Sequence, residues 1–224
     1  MTMLLDSIAA AESSGALLKS SAENIRAMLA KGASPLAGSV ISELAASGNW
    51  EELNNRFFRT MAFGTGGLRG KTIGAVVTKA EAGPGRPDGR PEHACIGTNA
   101  MNEYNIARAT RGLAQYVRDL HLREGKPGRP AIAISHDTRF FSREFAELAA
   151  KVMNDLGCDA LLFEGPRSTP ELSFAVRYRN AAAGINITAS HNPPGYNGYK
   201  VYFDDGGQVA VSYTHLTLPT IYSV

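Results

Sequence analysis

The first quarter of the chain carries apolar residues at helical spacing. Stretches at about residues 3–31 and 36–46 are rich in alanine, and residues 50–58 also place their apolar side chains at helical intervals. Spacing of this kind puts apolar side chains on one face of a helix. We therefore predict a helical N-terminal region.

Further along, short apolar runs alternate with longer helical patterns. The runs predict strands at 72–77, 131–135, 160–163, 182–187 and 199–203, and the patterns predict helices at 105–122, 143–156 and 169–177. Strands that alternate with helices form mostly parallel sheets. The predicted fold class is α/β, with a mixed, mostly parallel sheet flanked by helices. Residues 79–94 (KAEAGPGRPDGRPEHA) interrupt this pattern, and their glycine, proline and charge predict a mobile surface loop.

Composition excludes several classes of protein. The 224 residues carry 23 basic and 21 acidic side chains, a net charge of +2, so no overall field favours nucleic acid or a membrane surface. Cys95 and Cys158 are far apart and lack metal-ligand spacing, which favours reduced thiols. The N-terminus lacks the pattern of a signal peptide, and no apolar run approaches membrane length. We expect a cytoplasmic protein.

The segment 188–200 (TASHNPPGYNGYK) is the strongest candidate for chemistry. Ser190 and His191 stand beside each other after an apolar run, and two prolines restrict the loop that follows. An Asn197-Gly198 turn is predicted to bring Lys200 back toward the serine. A hydroxyl held on a constrained loop between two strands is typical of a positioned nucleophile. A surface hairpin built from turn-forming residues is the alternative interpretation of the same pattern.

A second segment, residues 62–70 (AFGTGGLRG), combines glycines with an arginine. Its glycines allow positive φ and close backbone approach, and the planar guanidinium of Arg69 suits phosphate. The segment matches neither the dinucleotide fingerprint nor the Walker pattern. On its own it also fits an ordinary turn.

Both segments resemble signatures of the α-D-phosphohexomutases, the family of phosphoglucomutases and phosphomannomutases. Residues 188–200 resemble the family's active-site serine loop, and residues 62–70 resemble its N-terminal FGTGGLRG signature. Looser likenesses lie at 97–104 (GTNAMNEY), where Ala100 stands where relatives commonly have arginine, and at 135–142 (SHDTRFFS). The helical start resembles the extension of the longer phosphoglucomutase-like branch.

The resemblance implies roles for individual residues. Ser190 would carry the transferred phosphoryl group, Lys200 would act as general acid and base, and His191 and Arg69 would complete the catalytic set. It also assigns substrate or phosphate binding to Gly66, Gly67, Thr188, Asn192 and Asn197. Asp137 and Arg139 are interpreted as mainly structural, with Ser142 capping the helix that follows.

The resemblance further implies a domain organisation and a cofactor. Residues 1–49 would be a helical extension and residues 50–209 an incomplete first domain of a four-domain enzyme. Mg²⁺ would bind through a phosphate on Ser190, and its other ligands would lie in an acidic DGDxDR-type loop that the chain lacks. The chain by itself is therefore expected to be inactive.

The implied reaction interconverts hexose 1-phosphate and hexose 6-phosphate through a phosphoserine and a hexose 1,6-bisphosphate. Phosphoglucomutase activity is favoured, and phosphomannomutase or phosphopentomutase activity is the alternative within the family. A non-catalytic phosphosugar-binding module is a further alternative. A Ser-His hydrolase that uses Ser190 is disfavoured, because the G-x-S-x-G elbow and an oriented acidic partner are missing.

The last residues, 211–224 (VSYTHLTLPTIYSV), resemble the translation of a transposase-type sequencing adapter. The natural sequence would then stop near Val209, and residues 210–224 would be a non-native tail. A final strand is the alternative, since Val211, Tyr213, His215 and Thr217 alternate along it.

Overall fold

The computed structural model describes residues 2–30, 34–64 and 66–209. These residues form two compact units, one from the stretches 2–61 and 71–102 and the other from 62–70 and 103–209. The tail 210–224 lies outside the described residues. The predicted domain boundaries after residues 49 and 209 stay a prediction.

The first unit is helical. Its helices are α1 (Thr2–Ser13), α2 (Lys19–Ala30), α3 (Pro35–Ala46), α4 (Trp50–Phe57) and α5 (Lys79–Ala82). The first four confirm the predicted helical region. They bury a shared apolar core that includes Ile8, Ile25, Ile41, Leu53 and Phe57. Removing this apolar surface from water is the main force that stabilises the unit.

The predicted strand at 72–77 is wrong, because buried side chains of α4 take its backbone hydrogen bonds. The amide of Ala75 donates to the Glu52 carboxylate (3.0 Å), and the carbonyl of Val76 accepts from the guanidinium of Arg56 (2.5 Å). Because these backbone N–H and C=O groups already bond side chains, they are satisfied without a partner strand. The strand of this region is instead β1, which comprises Gly67–Lys71.

The loop predicted at 79–94 is only partly a surface loop. Its first residues form α5, which starts with a capping box between Thr78 and Glu81. Glu81 is buried, and its carboxylate pairs with the Arg56 guanidinium at 2.5 Å. Residues 83–89 are largely exposed, as expected, whereas Ala94 is buried. The mobility of the segment stays a prediction.

The second unit is an α/β sandwich built on a five-stranded sheet. The strands are β1 (Gly67–Lys71), β2 (Ala131–His136), β3 (Asp159–Leu162), β4 (Ala183–Ile187) and β5 (Tyr196–Phe203), in the order β1-β5-β4-β2-β3. The pairs β2–β3 and β2–β4 are parallel, and β4–β5 is antiparallel. The helices are α6 (Glu103–Arg123), α7 (Ser142–Asp155) and α8 (Thr169–Tyr178). The predicted fold class is confirmed.

The cap predicted at Ser142 is displaced by one residue. Ser168 caps α8 through a capping box with Glu171. Ser142 is the first residue of α7, and the capping position belongs to Phe141, whose φ is 64°. The Ser142 hydroxyl donates instead to the Asp137 carboxylate at 2.6 Å.

The predicted Asn197-Gly198 turn is also wrong, because both residues lie within β5. The buried Asn197 amide donates to the carbonyl of Phe140 (3.0 Å) and to the Ser142 hydroxyl (2.9 Å). A Cβ on Gly198 would lie 2.6 Å from the Thr188 carbonyl oxygen, so close packing explains this glycine. The reversal between β4 and β5 is made by residues 188–195.

No helix among the described residues is long and apolar enough to cross a membrane.

Candidate active site

Ser190 lies on the loop between two adjacent strands of the sheet, β4 and β5. Its φ is 54°, a left-handed conformation that costs a non-glycine residue roughly 1 kcal/mol. Its amide donates to the Thr188 hydroxyl at 3.0 Å, which helps to hold that conformation. The Ser190 residue is exposed, so the hydroxyl is presented at the edge of the sheet.

Lys200 reaches this hydroxyl from β5. Its ammonium Nζ donates to Ser190 Oγ at 2.8 Å. The strand position of Lys200 is fixed, because Lys200 pairs with Asn186 in the antiparallel register of β4 and β5. Partial burial, followed by the positive charge of Arg69, lowers the pKa of Lys200, and the carboxylate of Asp137 opposes that shift. A lysine in this position can exchange a proton with the serine oxygen.

The glycine-rich segment lies beside the serine loop and β5. A Cβ on Gly67 would lie 2.1 Å from the Tyr199 carbonyl oxygen, so only glycine lets this chain approach β5 so closely. Gly66 adopts a φ of 73°, and its carbonyl accepts from the Val201 amide at 3.2 Å. Arg69, on β1, is exposed, and its guanidinium donates to the Asn192 side-chain carbonyl at 3.3 Å.

The remaining candidates differ in exposure. His191 is exposed, and within residues 2–30, 34–64 and 66–209 the hydrogen bond to Ser190 Oγ comes from Lys200 and not from the imidazole. Thr188 and Asn197 are buried and bond to neighbouring protein groups. The binding roles predicted for Thr188 and Asn197 stay predictions.

Arg139 was interpreted as mainly structural, and its contacts agree with that interpretation. Its guanidinium bonds backbone carbonyls of the serine loop, and its amide donates to the Asp137 carboxylate at 2.9 Å. The only signal in the sequence was the spacing of an acid and an arginine directly after a strand. That signal cannot show which backbone groups the arginine contacts.

The described part of the chain does not supply a ligand set for a metal ion. Across residues 2–30, 34–64 and 66–209, no three His, Cys, Asp or Glu side chains come together in a way that could hold one. A phosphate on Ser190 would provide one oxygen ligand from this region.

Comparison with known proteins decides the family. Residues 93–217 match the domain described as "Phosphoglucomutase/phosphomannomutase, alpha/beta/alpha domain I". The chain belongs to the phosphoglucomutase/phosphomannomutase family. The match runs past Val209, and the adapter interpretation of residues 211–224 stays a prediction.

Phosphoglucomutases are among the family members with similar sequences. The phosphoglucomutase of Staphylococcus haemolyticus is 39% identical over 153 residues, which cover 68% of this chain and 23% of the relative. That of Staphylococcus aureus (strain bovine RF122 / ET3-1) is 37% identical over 165 residues, which cover 74% of this chain and 25% of the relative. The chain thus spans about a quarter of the length of these curated relatives.

A solved structure of the family shares the fold. The crystal structure of a Thermus thermophilus protein assigned as a phosphomannomutase superposes with a TM-score of 0.55 at 26% identity. The superposition covers 73% of this chain and 30% of the other. Phosphohexomutases use a metal ion.

Proposed function

We propose that the chain is the N-terminal part of an isomerase that interconverts hexose 1-phosphate and hexose 6-phosphate. A phosphoserine at Ser190 and a hexose 1,6-bisphosphate are the intermediates. The observation that carries the proposal is the 2.8 Å contact between Ser190 Oγ, on the loop, and Lys200 Nζ, on β5, both within the family-matching region. Phosphoglucomutase is the favoured activity, because the similar relatives described above carry that name.

The proposed domain organisation follows from this assignment. Residues 50–209 would form most of the first domain, residues 1–49 a helical extension and residues 210–224 a non-native tail. Because the chain spans only 23% of the Staphylococcus haemolyticus relative, the chain alone would be inactive. The complete protein would act in the cytoplasm. The free thiols of Cys95 and Cys158 support this location, because disulfides are rare in cytosolic proteins.

The proposed mechanism gives a task to each of these residues. A hydroxyl of the sugar phosphate attacks the phosphorus on Ser190, so a new O–P bond forms while the bond to Oγ breaks. Neutral Lys200 accepts the proton of the attacking hydroxyl and returns a proton to Oγ, which lies within hydrogen-bond distance. The lowered pKa of Lys200 increases its neutral fraction. The bisphosphate then returns its other phosphoryl group to Ser190 by the reverse of these steps.

Positive charge is needed because charge spreads over the transferring phosphoryl oxygens. Arg69 is exposed beside the loop and can bind a phosphate with its planar fork. His191 follows Ser190 directly and would contact the phosphate or the sugar. Bound Mg²⁺, the proposed cofactor, would neutralise phosphoryl charge.

The test of this proposal is a mutase assay on the complete protein, expressed after recovery of the coding DNA beyond the Val209 codon. Glucose 1-phosphate is supplied with catalytic glucose 1,6-bisphosphate, and glucose 6-phosphate is measured. Ser190→Ala is expected to lower kcat by at least about 10³-fold, as removal of a covalent nucleophile does. Ser20→Ala, which changes an exposed serine of α2, is the matched control and should leave kcat unchanged.

The same assay separates the alternatives. Mannose 1-phosphate and ribose 1-phosphate replace glucose 1-phosphate, and the ratio of kcat/KM values names the substrate. Binding of these sugar phosphates without exchange would favour the phosphosugar-binding module. Full activity in Ser190→Ala would contradict the proposed phosphoserine.

A further inference from the structure

The guanidinium of Arg139 gathers the carbonyl groups of the serine loop around one charge. Its Nη1 donates to the carbonyls of Pro193 (2.8 Å) and Tyr196 (3.1 Å). Its Nη2 donates to those of Ser190 (2.8 Å) and Asn192 (2.5 Å). Only 14% of the Arg139 side chain is exposed, and its bonds to Tyr196 and Asn192 are partly buried, whereas those to Pro193 and Ser190 lie at the surface. Hydrogen bonds to a charged donor are stronger than neutral ones.

Arg139 is itself anchored on the protein side of the loop. The Asp137 carboxylate accepts from the Arg139 amide (2.9 Å) and lies 3.4 Å from its guanidinium Nε. The same carboxylate accepts from the Ser142 hydroxyl (2.6 Å), which in turn accepts from the buried Asn197 amide (2.9 Å). This chain of bonds connects the guanidinium to the start of α7 and to β5.

The loop needs such an anchor because its own backbone bonds are few. It holds Ser190 in a left-handed conformation, and Pro193 and Pro194 have no amide hydrogen to donate. Without Arg139, the four carbonyls would lose the charged donor they share, although that of Pro193 would keep a second donor, the Tyr196 amide (3.0 Å). The loop would then gain alternative conformations.

We propose that Arg139 is a positioning residue that sets the distance between Ser190 Oγ and Lys200 Nζ. Lys200 belongs to a strand fixed by its register with β4, whereas Ser190 belongs to the loop that Arg139 holds. The contact between them therefore depends on the loop. This inference rests on the proposed function, in which the two atoms exchange a proton.

Turnover by the complete protein provides the first test. Arg139→Gln is expected to lower kcat by about 10²-fold, the order expected for a displacement of reacting groups by about 1 Å. KM for the sugar phosphate should change far less, because Arg139 does not face the substrate in this account. Arg143→Gln is the matched control, since Arg143 lies near Arg139 in sequence but pairs with Glu147 and the Glu164 carbonyl.

Two further variants separate positioning from general stability. Arg139→Lys keeps the charge but loses the fork, and it should remain at least about 10-fold below wild type in kcat. In Arg139→Ala, added methylguanidinium should restore part of the lost kcat. Such rescue would show that the guanidinium itself is required, because methylguanidinium would not correct a packing defect elsewhere in the protein. Wild-type kcat in a folded Arg139→Lys protein would overturn the proposal, even if Arg139→Gln fails to fold.

Amide hydrogen exchange on the complete protein tests the loop without measuring any activity. Arg139→Gln should speed exchange in the peptide that covers residues 188–200, while peptides from β2 and β4 keep their protection. Arg143→Gln should change neither. Unchanged exchange in the loop of Arg139→Gln would refute the positioning role.

The turnover and hydrogen-exchange experiments distinguish an error in the positioning role from an error in the proposed function. If the complete wild-type protein exchanged no sugar phosphate, the proposed function would be wrong, and the exchange measurement would still show whether Arg139 holds the loop. If turnover were normal in Arg139→Gln, the positioning role would be wrong and the proposed function would stand.

Discussion

Lys200 differs from an exposed lysine in two respects that act in the same direction. Its ammonium is partly buried, and the Arg69 guanidinium adds positive charge nearby, so the pKa of Lys200 is lowered. Both effects destabilise the charged ammonium relative to the neutral amine. Lys200 therefore loses its proton at a lower pH than an exposed lysine does.

Removal of the Arg69 charge should reverse part of this effect. In Arg69→Gln the pKa of Lys200 is expected to rise toward its ordinary value, which an NMR titration of the Lys200 side chain in this chain would measure. In the complete protein, the limb of the pH–activity profile that depends on deprotonation of Lys200 should move to higher pH. Arg143→Gln should leave the pKa of Lys200 in place, and a Lys200 pKa that stays constant or falls in Arg69→Gln would contradict this explanation.

The two thiols should be inert in the folded chain. Burial raises the pKa of Cys95 to about 12, and burial also raises the pKa of Cys158. Because the thiolate is the reactive species, iodoacetamide at mildly alkaline pH should label neither residue until urea unfolds the chain. Mass spectrometry of the digested protein measures this, and rapid labelling of native Cys95 would show that its burial is wrong.

At the scale of elements, the buried ion pairs of α4 explain why residues 72–77 do not form the predicted strand. Arg56 bonds Glu52 at 2.8 Å and Glu81 at 2.5 Å, and all three side chains are at most 5% exposed. The apolar, β-branched run at 72–77 predicted a strand because sequence patterns report local preference. They do not report that Arg56 of α4 pairs with Glu52 and with Glu81 of α5, or that Glu52 and Arg56 bind the backbone of the run.

This network gives a stability prediction for the helical unit. Glu81→Gln should lower its free energy of unfolding by about 3 kcal/mol, because it leaves Arg56 buried with less compensating charge. The single tryptophan, Trp50, lies at the start of α4 and reports urea unfolding of this unit by fluorescence. Glu23→Gln, in an exposed pair with Lys19 on α2, is the control and should cost at most about 0.5 kcal/mol. Equal effects of the two substitutions would contradict the account.

Gly198 tests the close packing within the sheet. An alanine Cβ there would lie 2.6 Å from the Thr188 carbonyl oxygen and 2.9 Å from that of Leu68. Gly198→Ala should therefore lower the free energy of unfolding of the sheet unit by about 1–3 kcal/mol, the usual cost of overpacking. Gly165→Ala, where the nearest atom would be 3.6 Å away, should have little effect. A turn at Asn197-Gly198 was predicted because the sequence does not reveal such a close approach.

At the scale of the whole molecule, alternation of strands and helices was sufficient to predict the fold class. The residues of the candidate site were predictable for a different reason, since Ser190, Lys200 and Arg69 stand within two recognisable motifs. The division into two units was not predictable, because the stretches 2–61 and 71–102 pack together across an intervening segment. The structural interpretation of Arg139 agrees with its contacts, but its partners were not predictable, because they are backbone carbonyls, which no sequence pattern identifies.

The most direct test of the account is to find where the protein carries phosphate. The complete protein is incubated with glucose 1,6-bisphosphate, digested and analysed by tandem mass spectrometry. One phosphoryl group is expected on Ser190, which disappears when excess glucose 6-phosphate is added and is absent from Ser190→Ala. Sugar-phosphate exchange that proceeds with unmodified Ser190, or with the phosphoryl group on another residue, would contradict it.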